Sequence, residues 1–202
     1  MRKFVFLIQT HSRVTFTKNL IYQLKDFLDY GRIVVSNNGN NSEEAFLIDD
    51  IPVEYLDNSK YPSGHDHFKS ILKQGYKNLF ILHDDDHIVK ENFRRALISL
   101  SSSDYEYAVS MKKKSSKSKE YKSYSEIFID YFLIDNHPII SGQFISNPAN
   151  FLDKAPDKVK FYMENGKYDD IVIVSWTLWK LNSKCFNEKS STYIIHNDND
   201  SL

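Results

Sequence analysis

Short apolar runs alternate with amphipathic segments over the first hundred residues. The run Phe4–Ile8 is continuously apolar and ends in polar residues, which predicts a strand buried on both faces. Apolar positions between Leu20 and Leu28 recur at helical spacing, and Gly31 is placed to end that helix. The chain therefore begins with a predicted strand followed by a predicted helix.

The same alternation continues further along the chain. Strands are predicted at Arg32–Val35, Pro52–Leu56 and Asn78–Leu82. Helices are predicted from Ser63 and over Val89–Leu100. Strands that alternate with helices join through right-handed crossovers into a largely parallel sheet. The sequence thus predicts an α/β fold, with a mostly parallel central sheet flanked by helices.

The second half of the chain is less regular. Strands are predicted at Tyr105–Val109, Ile139–Ile145 and Tyr193–His196, and a helix at Asp169–Leu181. The apolar segment Ile127–Ile134 is compatible with helix or strand. Neither an internal repeat nor an interdomain linker is visible, so residues 1–202 are predicted to form a single domain.

Composition narrows the class of protein. The chain has 202 residues, of which 41% are hydrophobic and 14% aromatic, enough for one packed core. Its net charge of −1 argues against a generally basic nucleic-acid binder. A single cysteine, Cys185, excludes a disulfide framework and a Cys-based zinc site. The longest apolar run falls far short of the roughly 18 residues of a membrane span, so a cytoplasmic protein without a transmembrane segment is predicted.

Three adjacent carboxylates, Asp84, Asp85 and Asp86, follow the fourth predicted strand. Ligands of open α/β sheets bind outside the carboxyl ends of the strands. Adjacent carboxylates repel one another, and Mg²⁺ or Mn²⁺ would neutralise them. In an extended segment Asp84 and Asp86 point the same way and Asp85 points elsewhere. The alternative is a solvated acidic turn. The chain has no glycine-rich phosphate loop, so a bound nucleotide diphosphate would need a metal.

Over about Lys3 to Leu181, the chain resembles the GT-A glycosyltransferases of glycosyltransferase family 2. The resemblance rests on the order and spacing of these segments: Phe4–Ile8 with Thr10–Arg13, Ile33–Gly39, Leu79–Asp86, Ile140–Gln143 and Tyr168–Asp170. It implies a GT-A (Rossmann-like) domain with a nucleotide-sugar half, residues 1–100, and an acceptor half, residues 101–202.

The resemblance also implies roles for the acidic residues. Asp86 is expected to bind Mn²⁺ or Mg²⁺ directly, and Asp84 to face the ribose or a metal-bound water, with Asp85 beside them in the donor site. The family's acidic pair falls on Asp169 and Asp170, which makes Asp170 the candidate general base. The alternative interpretation is that this pair has no catalytic role and stands at the N-terminus of a helix, where the helix dipole favours acidic side chains.

Further positions follow from the same resemblance. Thr10 and Arg13 are expected at the donor, although Arg13 could equally be a surface arginine. Asn37 stands near the place of an aspartate that usually contacts the base or ribose. His196 could complete the metal shell, as a late histidine does in several GT-A enzymes, or be a polar residue near the terminus.

Six lysines lie within Lys112–Lys122. This segment is predicted to be a solvated loop, with a lid over the donor diphosphate or a peripheral contact with anionic lipid as alternatives.

The predicted function is metal-dependent, inverting transfer of a sugar from a nucleotide-diphosphate donor, with a UDP-sugar favoured. The acceptor would be a glycan or another hydroxyl compound. Two alternatives remain open: a nucleotidyltransferase of related fold, and a non-catalytic module that binds sugar nucleotides or carbohydrate.

Overall fold

The structure is a computed structural model that describes residues 3–61, 64–110, 112–113, 141–149, 157, 185–186 and 193–196. Its first half alternates strands and helices: β1 (Phe4–Thr10), α1 (Val14–Leu24), β2 (Gly31–Asn37), β3 (Val53–Asp57), α2 (Gly64–Leu72), β4 (Leu79–His83), β5 (Asp86–Ile88) and α3 (Lys90–Ser102). Five further strands follow: β6 (Tyr107–Ser110), β7 (Lys112–Lys113), β8 (Ser141–Ile145), β9 (Cys185–Phe186) and β10 (Ile194–His196).

The main sheet has seven strands in the order β3-β2-β1-β4-β8-β6-β9. Strands β3, β2, β1 and β4 are parallel, as the alternating pattern predicts. Strand β8 runs antiparallel to both of its neighbours, β4 and β6. The predicted α/β fold with a mostly parallel sheet is confirmed, and the carboxyl ends of four strands share one edge.

Aromatic side chains fill the core between the sheet and α3. Phe80 of β4 lies 5.5 Å from Phe4 and 5.4 Å from Phe93, measured between ring centroids. Leu20, Ile21 and Leu24 of α1 are fully buried, which explains their helical spacing. This packing fixes the strands whose ends carry the polar loops.

The expectation that Gly31 ends the first helix is wrong. Helix α1 ends at Leu24, a 3₁₀ turn spans Lys25–Phe27, and Gly31 is the first residue of β2. A Cβ on Gly31 would lie 2.3 Å from the carbonyl oxygen of Phe4. Glycine is therefore needed here because β1 and β2 approach closely, and not because a helix stops.

A second, three-stranded sheet has the order β5-β10-β7. Strand β10 is antiparallel to β5 and parallel to β7. The hydroxyl of Tyr193 donates a hydrogen bond to the carbonyl of Gly142 at 2.8 Å, which ties the start of β10 to β8. The strand predicted at Tyr193–His196 is confirmed at Ile194–His196, and Lys112–Lys113 form a strand where a loop is predicted.

The segments Ile127–Ile134 and Asp169–Leu181 lie outside the described residues. Among the helices that are described, none has the length and apolar character that crossing a bilayer requires.

Candidate active site

The carboxyl ends of β1, β2 and β4 meet at one edge of the sheet. Thr10 at the end of β1 lies beside Asn37 at the end of β2. Gln9 lies beside His83, the last residue of β4. The loops that leave these strands, including the three aspartates, are therefore neighbours, at the place where open α/β sheets bind their ligands.

Asp84 is buried and paired with two of the predicted site residues. The hydroxyl of Thr10 donates a hydrogen bond to Asp84 Oδ2 at 2.6 Å, and Arg13 Nη1 lies 3.0 Å from Asp84 Oδ1. Burial raises the pKa of Asp84 above its usual range, while the hydrogen bond from Thr10 and the charge of Arg13 act against that rise. The structure thus brings Thr10, Arg13 and Asp84 together.

The assumption of an extended segment at the aspartates is wrong. Asp84 and Asp85 form a two-residue turn between β4 and β5. The backbone N–H of His83 donates to Asp86 Oδ2 at 2.8 Å across this turn. Because turn residues do not alternate sides as strand residues do, Arg13 contacts both Asp84 and Asp85, and Asp85 also lies near Asp86.

His83, Asp85 and Asp86 form a group with the donor atoms of a metal site. One ligand atom from each lies within 4.8 Å of the others. Both carboxylates are buried, so their negative charges favour a nearby cation. Carboxylate oxygens suit Mg²⁺ and Mn²⁺, and imidazole is accepted more readily by the softer of the two, Mn²⁺. These residues fit a divalent cation, and the expected contact of Asp84 with the ribose or a metal-bound water stays a prediction.

Strand β10 brings His196 to the same edge. In the register of the small sheet, His196 is the partner of Asp86, and Lys113 of β7 is the partner of His196. The three residues stand in one row across three strands. A metal-ligating role for His196 stays a prediction, now supported by its position opposite Asp86.

The side chain of Asn37 is buried and bonded to its own loops. Its Oδ1 accepts hydrogen bonds from the backbone N–H of Ser12 at 3.2 Å and of Gly39 at 3.0 Å. Its Nδ2 donates to the carbonyl of Asn41 at 3.1 Å. Asn37 therefore fixes the loop after β1 against the loop after β2, and its contact with a donor base stays a prediction.

Sequence analysis missed His67 of α2, which packs against the ends of β1 and β2. Its Nε2 lies 2.6 Å from Ser36 Oγ, and its Nδ1 lies 3.3 Å from Gln9 Nε2. Burial, and to a lesser degree the nearby His11, lowers the pKa of His67 to about 4, so the ring is neutral near pH 7. The available signal was its spacing, four residues before the buried Ile71 on the same helix face.

The predicted acidic pair Asp169–Asp170 lies outside the described residues. The same holds for the lysine-rich segment after Lys113. Their roles stay predictions.

Solved structures of other proteins share this fold. Glucosyl-3-phosphoglycerate synthase from Mycobacterium tuberculosis, in complex with Mn²⁺, UDP-glucose and phosphoglyceric acid, is 10% identical with a TM-score of 0.52 over 86% of this chain and 68% of that one. S. aureus TarS 1–349 is 16% identical with a TM-score of 0.55, over 96% and 60% of the two chains. Mannosyl-3-phosphoglycerate synthase from Rubrobacter xylanophilus is 9% identical with a TM-score of 0.50, over 86% and 64%.

These similarities show the fold: the chain has the GT-A fold that the resemblance implies. It spans between 60% and 68% of the length of the three structures. No protein-family model and no curated protein sequence matches the chain.

Proposed function

We propose that the chain is a metal-dependent, inverting glycosyltransferase that uses a nucleotide-diphosphate sugar, favouring UDP-sugars, and a hydroxyl acceptor such as a glycan. The observation that carries the proposal is the group formed by the half-buried His83 and the buried Asp85 and Asp86 at the carboxyl end of β4 in a GT-A fold. The similar M. tuberculosis protein binds Mn²⁺ and UDP-glucose, which supports this donor class.

The reaction replaces one bond to the anomeric carbon with another. The acceptor oxygen forms a bond to that carbon, the bond to the diphosphate breaks, and its electron pair leaves with the diphosphate. A divalent cation at the aspartates would supply the positive charge that stabilises this leaving group. Asp86 and Asp85 would hold it, with His83 or His196 as a nitrogen ligand. Asp84, fixed by Thr10 and Arg13, is left for the donor's ribose.

Asp170 is proposed as the general base that accepts the proton of the acceptor hydroxyl, with Asp169 beside it. General-base assistance contributes roughly 10²–10⁴ in rate. The residues His83, Asp85 and Asp86 alone would also suit a module that binds a metal and sugar nucleotides without catalysis. Asp170 therefore separates these two functions, because only the transferase needs a base on the acceptor side.

A thermal-shift screen tests the donor and the metal together. UDP-, GDP- and dTDP-sugars are compared with and without Mn²⁺ on the wild type and on Asp86→Ala. A ligand at 100 times its dissociation constant stabilises by about 2.7 kcal/mol, which gives a readable shift in Tm. We expect one nucleotide class to stabilise the wild type only with Mn²⁺, and Asp86→Ala to lose the effect. The absence of any shift would contradict the proposal.

The second arm measures turnover. Asp170→Asn is expected to lower kcat by roughly 10²–10⁴ while the Mn²⁺-dependent shift with donor is retained. If Asp170→Asn retains full transfer activity, another residue is the base. If the wild type binds donor without transferring sugar to any acceptor in a panel of glycans, the binding module is the better account.

A further inference from the structure

The aspartate turn places three carboxylates at adjacent positions. Asp84, Asp85 and Asp86 are all buried. A buried carboxylate without a compensating charge is strongly disfavoured. Arg13 makes ion pairs with two of them, Asp84 and Asp85.

Arg13 is positioned to serve both Asp84 and Asp85. Its Nη1 lies 3.0 Å from Asp84 Oδ1 and 3.1 Å from Asp85 Oδ2. Its guanidinium lies over the ring of Phe16, 4.4 Å from the centroid. A guanidinium is charged at every accessible pH, and stacking on an aromatic ring holds it in place. The positive charge of Arg13 is thus a fixed part of the site.

Asp85 belongs to two groups at once. It pairs with Arg13, and it also supplies one of the ligand atoms that lie together with those of His83 and Asp86. A divalent cation at that group would share Asp85 with the guanidinium. The guanidinium and the divalent cation would then lie close together and repel each other. Solvent and salt screen this repulsion only weakly, because the carboxylates are buried.

We propose that Arg13 is the internal counter-ion of the metal site: it neutralises Asp84 and Asp85 when the metal is absent and competes with the metal for Asp85, so that it sets the affinity for the metal. The inference rests on the metal group of the proposed function. It differs from the expectation that Arg13 lies at the donor, because it assigns Arg13 an effect on the affinity for the metal.

Titration calorimetry with MnCl₂ alone, without nucleotide, tests the inference. Arg13→Gln removes the charge, and we expect its Mn²⁺ dissociation constant to fall at least tenfold below that of the wild type. Its Tm without metal is expected to fall, because Asp84 and Asp85 lose the positive charge of the guanidinium, and to recover with Mn²⁺. Damage to the fold would weaken Mn²⁺ binding, so a gain in affinity cannot come from a structural role.

Three further variants complete the design. Arg32→Gln removes a matched arginine, paired with Glu54 at the opposite end of the sheet, and is expected to leave Mn²⁺ binding unchanged. Arg13→Lys keeps the charge without the planar fork and is expected to give a smaller gain, which provides the readout if Arg13→Gln does not fold. Asp86→Asn is expected to lose Mn²⁺ binding.

The outcomes separate this inference from the proposed function. If Asp86→Asn loses Mn²⁺ but no folded Arg13 variant gains affinity, the metal site stands and the counter-ion is overturned. Weaker binding of UDP in Arg13→Gln with unchanged Mn²⁺ affinity would identify a phosphate ligand instead, and also overturns it. If neither the wild type nor any Arg13 variant binds Mn²⁺, both the inference and the metal part of the proposed function fail.

Discussion

Two arginines contact carboxylates at opposite ends of the parallel strands. At the carboxyl end, Arg13 is 29% exposed and contacts Asp84 and Asp85, whose side chains are 6% and 5% exposed. At the amino end, Arg32 is 59% exposed and contacts Glu54, 43% exposed, at 2.8 Å. The shorter contact is the more exposed one, so distance alone does not rank the two.

Burial separates them. An exposed ion pair is screened by water and salt and contributes about 0–1 kcal/mol. Buried carboxylates lose their hydration and depend on the partners that remain. Charge gathered at a buried edge is therefore costly for the fold, and its presence at the carboxyl end indicates a function that repays the cost.

The presence of a groove does not by itself identify which end of the sheet holds the binding site. A groove of about 410 Å³ lies at the amino end, between the turn at Leu28 and the starts of β2 and β3. Its lining has one ion pair, Arg32–Glu54, and is otherwise mainly apolar. Binding sites combine a concave surface with converging polar groups. Of the two ends, the carboxyl end has the converging polar groups, which supports the proposed site there.

The largest difference between the ends is expected in catalysis. Asp86→Asn should lower kcat/KM for sugar transfer by about 10²-fold or more, because the diphosphate loses charge stabilisation. Glu54→Gln, the matched change at the amino end, should leave kcat/KM unchanged. Initial rates with Mn²⁺ and the donor identified by thermal shift give both values. Equal losses in the two variants would remove the distinction drawn here.

Sequence patterns predict the two ends unequally. Buried parallel strands are continuous apolar runs, so the sequence predicts the strand at Phe4–Ile8. For the same reason it predicts that the three aspartates follow the end of the strand that closes with Leu82. The turn at Asp84–Asp85 is predicted only as a solvated alternative, and its burial is not predicted, because β5 pairs with β10, more than a hundred residues later. Gly31 is misread for a similar reason, since its requirement comes from contact with Phe4.

The second-largest effect is the dependence of the free energy of unfolding on pH, which we expect from His67 at the carboxyl end. Its pKa is about 4 in the folded protein and 6.5 when exposed, so the unfolded chain binds the proton first. The contribution of the neutral, buried His67 to the free energy of unfolding is fully present above pH 6.5. It is lost as the pH falls toward 4, by at most about 3 kcal/mol. Asp84, with its raised pKa, acts in the opposite direction at the acidic end of this range.

The His67 contribution is isolated by comparison with variants. His67→Gln should flatten the fall in the free energy of unfolding between pH 7 and 4, measured by urea denaturation. His87→Gln, at an exposed position of β5, should keep the wild-type slope. A wild-type slope in His67→Gln would mean that other groups carry the pH dependence.

The third effect compares two glycines with positive φ. Gly142, φ 64°, lies at the carboxyl end, and a Cβ there would lie 2.5 Å from Ile194 Cγ1. Gly75, φ 75°, precedes β4 at the amino end, with nothing within 4 Å of an added Cβ. Gly142→Ala should cost about 2 kcal/mol or more, from strain and displacement of β10, and Gly75→Ala about 1 kcal/mol from strain alone.

Urea denaturation of both alanine variants measures these costs. Because β10 carries His196, Gly142→Ala should also weaken Mn²⁺ binding, whereas Gly75→Ala should not. Equal costs, together with unchanged Mn²⁺ binding, would show that β10 does not depend on its contact with Gly142.

The smallest effect is expected at the amino end. Arg32→Gln should lower the free energy of unfolding by less than about 1 kcal/mol, because both partners are exposed. The loss should nearly vanish at about 1 M salt, where the Debye length is about 3 Å. Urea denaturation at low and high salt measures it, since urea adds no ions. A loss of about 2 kcal/mol or more that salt does not change would mean that this pair, too, behaves as a buried one, and burial would then no longer distinguish the two ends of the sheet.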